Sequence, residues 1–201
     1  VQTKAVLDNA AAILKEAGMT FDHVVSSKVF ITDAAKFQEM NETYRTFFTK
    51  DPPARATVVA PLMGAANVVE ITLTASSLPK QIFTTPAADG TPGKPSPILS
   101  SAVKVGNRLY LSGLLGNTAA NKGDTEAQTK EILARVGRTL QVAGFGWGDV
   151  ADGVVYITDV KNFEAMNAGY RSVVKDLPAR ATVKTGLVAD GMLEIMFVAS
   201  K

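Results

Sequence analysis

The stretch VYITDVKNFEAMNAGYR, residues 155–171, decides the fold because it has a near copy, VFITDAAKFQEMNETYR, at residues 29–45. Each copy is followed by the hexapeptide Pro-Ala-Arg-Ala-Thr-Val, at residues 178–183 and 53–58. Similar segments that recur in the same order at a nearly constant spacing indicate an internal duplication. We therefore predict two structurally equivalent units within this one chain.

The similarity extends to both sides of this stretch. Residues 1–18 align with residues 127–144, and Glu70-Ile71 aligns with Glu194-Ile195. The whole alignment needs only two single-residue gaps, so the duplication covers nearly everything that the first copy contains.

The two copies differ in what precedes their first helix. Nothing in the first copy corresponds to residues from about 80 to 126 of the second. The segment 78–97 is rich in Pro and Gly, which interrupt regular structure and are typical of a boundary. We predict an incomplete first unit at residues 1–78, from the helix onward and without its N-terminal strands. A complete second unit follows at residues 79–201.

Local signals in the second unit predict alternating strands and helices. Gly106-Asn107 is a typical hairpin turn, Thr125 and Gln128 have the spacing of a capping box, and apolar residues follow Phe163 at helical spacing. The predicted elements are an edge strand at 80–85, a hairpin at 102–112, a helix at 125–142, a strand at 150–157, a helix at 160–175, and a final hairpin of 181–187 with 193–200. This order predicts an α+β fold in which each unit is a mixed β-sheet with two helices on one face.

The composition excludes several classes of protein and site. Hydrophobic residues make up 46% of the chain and charged residues 20%, which excludes disorder throughout. The absence of Cys and the single His exclude disulfides, thiol catalysis and thiolate metal sites. The net charge is +2 and the basic residues are scattered, so no nucleic-acid partner is expected. No apolar run approaches ~20 residues, so no membrane partner is expected either.

The N-terminus and the motif content lead to three further expectations. Val1 is not an initiator Met and enters a helical pattern at once, so we interpret it as a cut or processed end. We expect a cytoplasmic location, and export stays open because the original N-terminus is expected upstream. No glycine-rich phosphate loop, metal-ligand cluster or Ser-His-Asp set is present, so we expect no cofactor and no metal.

Chemistry requires polar groups that converge, and the strongest candidates are two repeated Arg and Glu residues. If each unit ends in a hairpin, its Arg lies opposite its Glu on adjacent antiparallel strands and shares a face with it. Arg could then bind a carboxylate in a bidentate way, and Glu could hold or activate a water. A cross-strand ion pair without any function is the alternative. The candidates are Arg55 with Glu70 and Thr57, and Arg180 with Glu194 and Thr182.

Other polar residues are weaker candidates. Asn41 and Asn167 lie in the middle of predicted helices, where Asn is unfavourable. The two interpretations are that each binds a ligand or that each bonds a neighbouring strand. Ser112 ends a hairpin strand, and Gly113 after it either allows close approach of a ligand or makes a turn. Asp33 and Asp159 are predicted helix caps, and His23 is predicted to be a surface residue.

Taken together, these motifs resemble the reactive-intermediate deaminase (Rid or YjgF-type) family, often labelled L-PSP endoribonuclease-like. The resemblance covers nearly the whole chain and indicates a tandem member. It is carried in the second unit by Ser112-Gly113, GDTEAQTK (123–130), VYITDVKNFEAMNAGY (155–170), LPARATV (177–183) and LEI (193–195). In the first unit it is carried by VQTK (1–4), VFITDAAKFQEMNETY (29–44), PPARATV (52–58) and VEI (69–71).

The resemblance implies a fold, an assembly and residue roles. The implied fold is chorismate-mutase-like α+β, and the implied assembly is a trimer with clefts between subunits. The implied roles are carboxylate binding by Arg180 and Arg55, water positioning by Glu194 and Glu70, and cleft contacts by Asn167, Asn41 and Ser112. The chain departs from the family in two places, with Thr57 and Thr182 where relatives carry Cys, and with Leu99 where relatives carry Tyr.

The functional prediction is cofactor-independent hydrolysis of 2-enamine or 2-imine acids to 2-keto acids and ammonia. The alternative is a non-catalytic module that binds a small carboxylate, and an endoribonuclease is a third and weaker reading. The expected partners are a small carboxylate ligand and further copies in a trimer-based homo-oligomer. A separate chain that supplies the missing N-terminal strands is a further option.

Overall fold

The computed structural model describes all residues from 1 to 201, and each unit contains the predicted kinds of element. Five short 3-10 turns, at 21–23, 34–36, 119–121, 147–149 and 160–162, connect the longer elements. The helices are α1 (Gln2–Glu16), α2 (Phe37–Phe47), α3 (Thr125–Val142) and α4 (Phe163–Val173). The strands are β1 (Val24–Ile31), β2 (Ala54–Val59), β3 (Val69–Ala75), β4 (Lys80–Phe83), β5 (Ala102–Val105), β6 (Arg108–Leu111), β7 (Leu114–Leu115), β8 (Val150–Ile157), β9 (Ala179–Lys184), β10 (Gly186–Leu187) and β11 (Leu193–Ser200).

Local sequence signals account for most of the element ends. Asp33 and Asp159 accept hydrogen bonds from Ala35 N–H and Lys161 N–H, so they cap the 3-10 turns that lead into α2 and α4 rather than these α-helices themselves. Gly106 has φ +54 at the turn between β5 and β6, which confirms the predicted hairpin.

The start of α3 differs from the prediction. The capping box predicted at Thr125 is wrong, because Asp124 is the N-cap and accepts a hydrogen bond from Ala127 N–H at 2.9 Å. Gln128 is instead drawn inward, where its side chain bonds the backbone of Asn121 and Met192.

The prediction that each unit ends in a hairpin is wrong, because its last two long strands do not pair with each other. In the first unit, β1 pairs in parallel with β2 and antiparallel with β3. In the second unit, β8 pairs in parallel with β9 and antiparallel with β11. The helix between β8 and β9 makes a parallel crossover, which leaves β8 in the centre and sends β11 to its other side. The expected pairing of Arg with Glu across adjacent strands therefore does not form in either unit.

The two units form a four-stranded sheet and a seven-stranded sheet, and one short strand of the second unit belongs to the sheet of the first. The first sheet has the order β10-β2-β1-β3, and the second has the order β4-β5-β6-β11-β8-β9 with β7 paired to β11. Because β10 comes from the second unit and pairs with Val58 and Val59 of β2, the second unit completes the sheet of the first. The division into residues 1–78 and 79–201 stays a prediction.

Each sheet has helices on one face, as predicted, and contacts the other unit through its second face. On the helical side, Leu133 of α3 and Tyr170 of α4 belong to the same buried cluster as Phe197 of β11. On the other side, alternate residues of β2 face the second unit, where Ala54 contacts the cluster around Val103. None of the helices has the length and apolar character needed to cross a membrane.

Candidate functional site

Arg55 and Glu194 come together, although they belong to different units. Arg55 lies on β2 and Glu194 on β11, and their side chains are only 2% and 4% exposed. The Coulomb interaction between them affects the pKa of both groups, yet no ion pair within 4.0 Å joins them. A buried cation therefore faces a buried carboxyl group, and the two are not in direct contact.

The guanidinium of Arg55 is held by α2 on one side only. Its Nη2 donates to Asn41 Oδ1 at 2.8 Å, and its Cζ lies 4.7 Å from the centre of the Tyr44 ring. Its Nε and Nη1 are buried and have no hydrogen-bond partner. Burial lowers the pKa of Arg55, but a guanidinium stays charged in proteins. Unpaired donors on a buried cation are well suited to an anion in bidentate contact.

The backbone of Arg55 is fixed by the second unit. Its N–H donates to Ser112 Oγ at 2.7 Å, and Ser112 Oγ donates in turn to the carbonyl of Ser100 at 2.6 Å. The N–H of Gly113 donates to the carbonyl of Arg55 at 3.1 Å. The end of β6 therefore sets the position of β2, and the arginine is oriented by both units.

Glu194 has the most perturbed carboxyl group in the chain. Burial raises its pKa to about 8, although the charge of Arg55 and the backbone N–H of Thr57 both act to lower it. Burial also raises the pKa of neighbouring Tyr156 to about 12, and the charge of Glu194 adds to that effect. Glu194 is therefore mostly protonated at neutral pH and could both donate and accept a proton in that range.

Thr57 completes this group of buried polar side chains. It is two residues after Arg55 on β2, so both side chains point to the same face of the sheet. The Oγ1 of Thr57 is buried without a hydrogen-bond partner. We define the Arg55 cluster as the residues that converge here, namely Asn41, Arg55, Thr57, Ser112 and Glu194.

The second unit contains only half of such a cluster. Nη2 of Arg180 donates to Asn167 Oδ1 at 2.8 Å, and its Cζ lies 4.6 Å from the centre of the Tyr170 ring. Thr182 Oγ1 is again buried and unpartnered. No second serine or glutamate meets Arg180, because Glu70 lies exposed on β3 opposite Phe30 of β1. The predicted pairing of Arg180 with Glu194, and of Arg55 with Glu70, is therefore wrong, and the roles of these residues stay a prediction.

Two residues that shape the Arg55 cluster are not among the predicted site residues. Tyr44 is a buried core residue whose ring also supports the guanidinium, and its spacing of three from Asn41 on α2 is the signal that could have indicated this. Ser100 had no such signal, because its carbonyl reaches Ser112 only through the β5–β6 hairpin. His23 bonds the Thr20 backbone, and no three His, Asp or Glu side chains group as metal ligands.

Gly113 leaves the space that the Glu194 carboxyl group occupies. A Cβ on Gly113 would overlap the carboxylate, lying 2.6 Å from Cδ of Glu194 and 3.0 Å from Cβ of Ala56. We expect Gly113→Ala to displace Glu194 and to lower the free energy of unfolding by about 1–3 kcal/mol, as overpacking does. Urea unfolding measures this, with Gly148→Ala as control because no atom lies within 4 Å of its Cβ position. Equal stability of the two variants would contradict this account of Gly113.

Comparison with known proteins identifies the family. The family model described as Endoribonuclease L-PSP matches residues 1–77 and 94–201, and two separate matches suggest a tandem arrangement. A RutC family protein of Sulfurisphaera tokodaii is 37% identical over 114 residues, which are 54% of this chain and 91% of that protein. The 3-aminoacrylate deaminase RutC of Acinetobacter baylyi is 33% identical over 128 residues, which are 61% of this chain and 98% of that protein.

Solved structures agree with this assignment. A YjgF family protein from Neisseria meningitidis superposes with a TM-score of 0.53 at 26% identity, covering 63% of this chain and 98% of that one. A chorismatase superposes with a TM-score of 0.73 over 99% of this chain and 70% of that one, and at 16% identity it shows the shared fold alone. The predicted α+β fold is confirmed, and the chain belongs to the Endoribonuclease L-PSP family, which includes the YjgF and RutC proteins.

Proposed function

We propose that the protein hydrolyses 2-enamine or 2-imine acids to 2-keto acids and ammonia at the Arg55 cluster, without a cofactor. One observation carries the proposal, namely two unpartnered donors on buried Arg55 beside Glu194, whose pKa is raised to about 8. The relative named 3-aminoacrylate deaminase supports enamine or imine deamination at the level of the family.

In the proposed reaction, Arg55 binds the substrate carboxylate through Nε and Nη1, and Asn41 keeps the guanidinium in place. Protonated Glu194 donates its proton to the carbon of the enamine, which becomes an iminium ion, and Glu194 becomes a carboxylate. That carboxylate then takes a proton from the water that attacks the iminium carbon. The resulting carbinolamine releases ammonia as its hydroxyl group becomes the carbonyl. The proposed role of Thr57 is to bond that oxygen through its unpartnered Oγ1.

Release of ammonia and a 2-keto acid tests this proposal directly. Freshly generated 2-aminoacrylate should give pyruvate and ammonia faster with the protein than in buffer alone. A rate equal to that of the reaction in buffer would contradict the proposal.

The same residues support a second candidate, a non-catalytic module that binds a small carboxylate. The raised pKa of Glu194 favours this option because a protonated Glu194 does not repel an anion bound to Arg55. Thermal stabilisation by 2-keto acids, together with no turnover of 2-aminoacrylate, would select this option.

We also propose a trimer-based homo-oligomer in which a Rid-like unit from another copy covers β9, and a separate chain in that position is the alternative. The support is that the repeated hexapeptide Pro-Ala-Arg-Ala-Thr-Val is buried in the first unit and partly or fully exposed in the second. In β2, Ala54 and Ala56 are 0% and 2% exposed because the second unit covers them. In β9, the equivalent Ala179 and Ala181 are exposed, and β9 pairs only with β8. A bare edge strand with small apolar side chains favours pairing with another chain.

Ala181→Glu is expected to reduce the native mass to the 21.2 kDa of a single chain, because a charge would be buried at the proposed contact. Size-exclusion chromatography with light scattering measures this. Ala120→Glu is the control, since it adds the same charge to an exposed turn away from β9. A wild-type mass of 21.2 kDa would contradict the proposed assembly.

A further inference from the structure

A cavity of about 520 Å³ lies between the two units, next to the Arg55 cluster. The first unit lines it with residues at and beyond the C-terminal end of α2. The second unit lines it with Ile82 of β4, with Thr84 just beyond that strand, and with residues of the segment 94–101. The polar residues that line it include Arg45, Thr49, Asp51, Thr84, Lys94 and Ser101.

The cavity approaches the Arg55 cluster from two directions. Ser100 lines the cavity, and its carbonyl accepts the hydrogen bond from Ser112 that holds the backbone of Arg55. Phe48 also lines the cavity and stacks at 4.3 Å on Tyr44, the ring that supports the guanidinium of Arg55. Ser100 and Phe48 therefore form part of the wall between the cavity and the Arg55 cluster.

The charges around the cavity favour an anion. The side chains of Arg45 and Lys94 make no hydrogen bond or ion pair with the rest of the chain. Asp51 is the single acidic residue in the lining, and the positive charge of Lys80 offsets its negative charge. Lys80 Nζ donates to the main-chain carbonyl of Asp51 at 2.8 Å, and the charge of Asp51 stabilises the charged form of Lys80. Two positive charges are thus left unpaired at one small opening, where they raise the local concentration of anions.

Hydroxyl groups provide further contacts in the same space. Ser96 and Ser100 use their hydroxyls within the protein, since Ser96 accepts from Ile98 N–H and Ser100 donates to the carbonyl of Pro52. The hydroxyls of Thr49, Thr84 and Ser101 have no such partner and lie in the lining. A polar pocket with two cations and free hydroxyls is suited to an acidic group rather than to an apolar tail.

We infer that this cavity holds a second acidic group of the substrate, so that the protein prefers dianionic 2-imino acids to monoanionic ones. Arg45 and Lys94 are the specificity-determining residues, and they contact the end of the substrate that does not react. This inference rests on the proposed binding of the reacting carboxylate by Arg55.

Kinetics with two matched substrates test the preference. We expect the double variant Arg45→Gln, Lys94→Gln to lower kcat/KM about tenfold for freshly generated 2-iminoglutarate, because the ion pairs of exposed residues such as these each contribute a few-fold. The value for 2-iminobutyrate should change less than about twofold. Arg171→Gln is the matched control, since Arg171 is the counterpart of Arg45 on α4 and lies outside the cavity. An equal loss for both substrates, or no loss for either, would overturn the inference.

Calorimetric titration with 2-oxoglutarate and 2-oxobutyrate separates this inference from the proposed reaction. Wild-type protein should bind 2-oxoglutarate more tightly than 2-oxobutyrate. The double variant should bind 2-oxoglutarate about tenfold more weakly than wild type, while its affinity for 2-oxobutyrate should not change. Selective binding without turnover of either imino acid would reject the proposed reaction and retain the second acidic subsite. Equal affinity for the two acids, or binding of neither, would overturn the subsite whatever the turnover.

Discussion

Arg55→Gln is expected to lower kcat/KM for 2-aminoacrylate about a hundredfold or more, whereas Arg180→Gln should retain at least about half of the activity. Hydrogen bonds to a charged group contribute about 1.5–3 kcal/mol each, and the variant removes the two that Nε and Nη1 would make to the substrate. Arg180 has the same contact to its Asn and Tyr, but lacks a glutamate and a serine from the other unit. The large difference therefore comes from the completeness of the cluster.

Thermal unfolding of both variants provides the control for this comparison. Arg55 is a buried cation with two unpaired donors. Replacing it with neutral Gln removes an uncompensated buried charge, so the variant should remain folded. Wild-type-like unfolding together with lost activity would locate the effect in substrate binding. A similar, roughly twofold loss in both variants would contradict the assignment of the reaction to the Arg55 cluster.

Glu194→Gln is expected to lower kcat about a hundredfold and to remove the pH dependence of the reaction, because general acid–base catalysis contributes about 10²–10⁴-fold. In wild-type protein the pKa of Glu194 is raised to about 8, and the proposed first step needs its protonated form. For an enamine substrate, kcat/KM should therefore fall as the pH rises through about 8. A pH–rate profile in Glu194→Gln with the same inflection would assign it to another group.

The raised pKa of Glu194 also predicts how the free energy of unfolding depends on pH. The pKa of Glu194 is about 8 in the folded chain and 4.5 as a model value, so folding favours its protonated form. This contribution is fully present below pH 4.5 and is lost as the pH rises through about 8. Glu194→Gln should therefore gain stability relative to wild type between pH 5 and pH 9, measured by urea unfolding. Parallel pH profiles of the two proteins would contradict a raised pKa.

Much of the local structure could be predicted because its causes lie within a few residues. Asp33 and Asp159 cap the turns that follow them, and Gly106 has the positive φ of the hairpin turn. The helical spacing after Phe163 corresponds to α4. These features depend on residues within about four positions of each other, so a linear pattern contains them.

The pairing of strands could not be predicted in the same way. Antiparallel strands that follow each other often form a hairpin, and this default placed Arg180 beside Glu194 and Arg55 beside Glu70. In the structure β8 lies between β9 and β11, because the crossover through α4 returns the chain parallel to β8. Strand order is a property of distant segments, and no local signal near either Arg encodes it.

The sequence by itself predicted an internal duplication, indicated which elements each copy contains, and determined which polar residues recur as Arg, Asn, Thr and Glu. Only the tertiary structure decided which of these residues meet. The hexapeptide Pro-Ala-Arg-Ala-Thr-Val occurs in both units, yet Arg55 is buried against Ser112 and near Glu194, while Arg180 stays partly exposed. The physical reason is that burial and pKa depend on what packs on the second face of a strand, and in β2 that neighbour is the other unit.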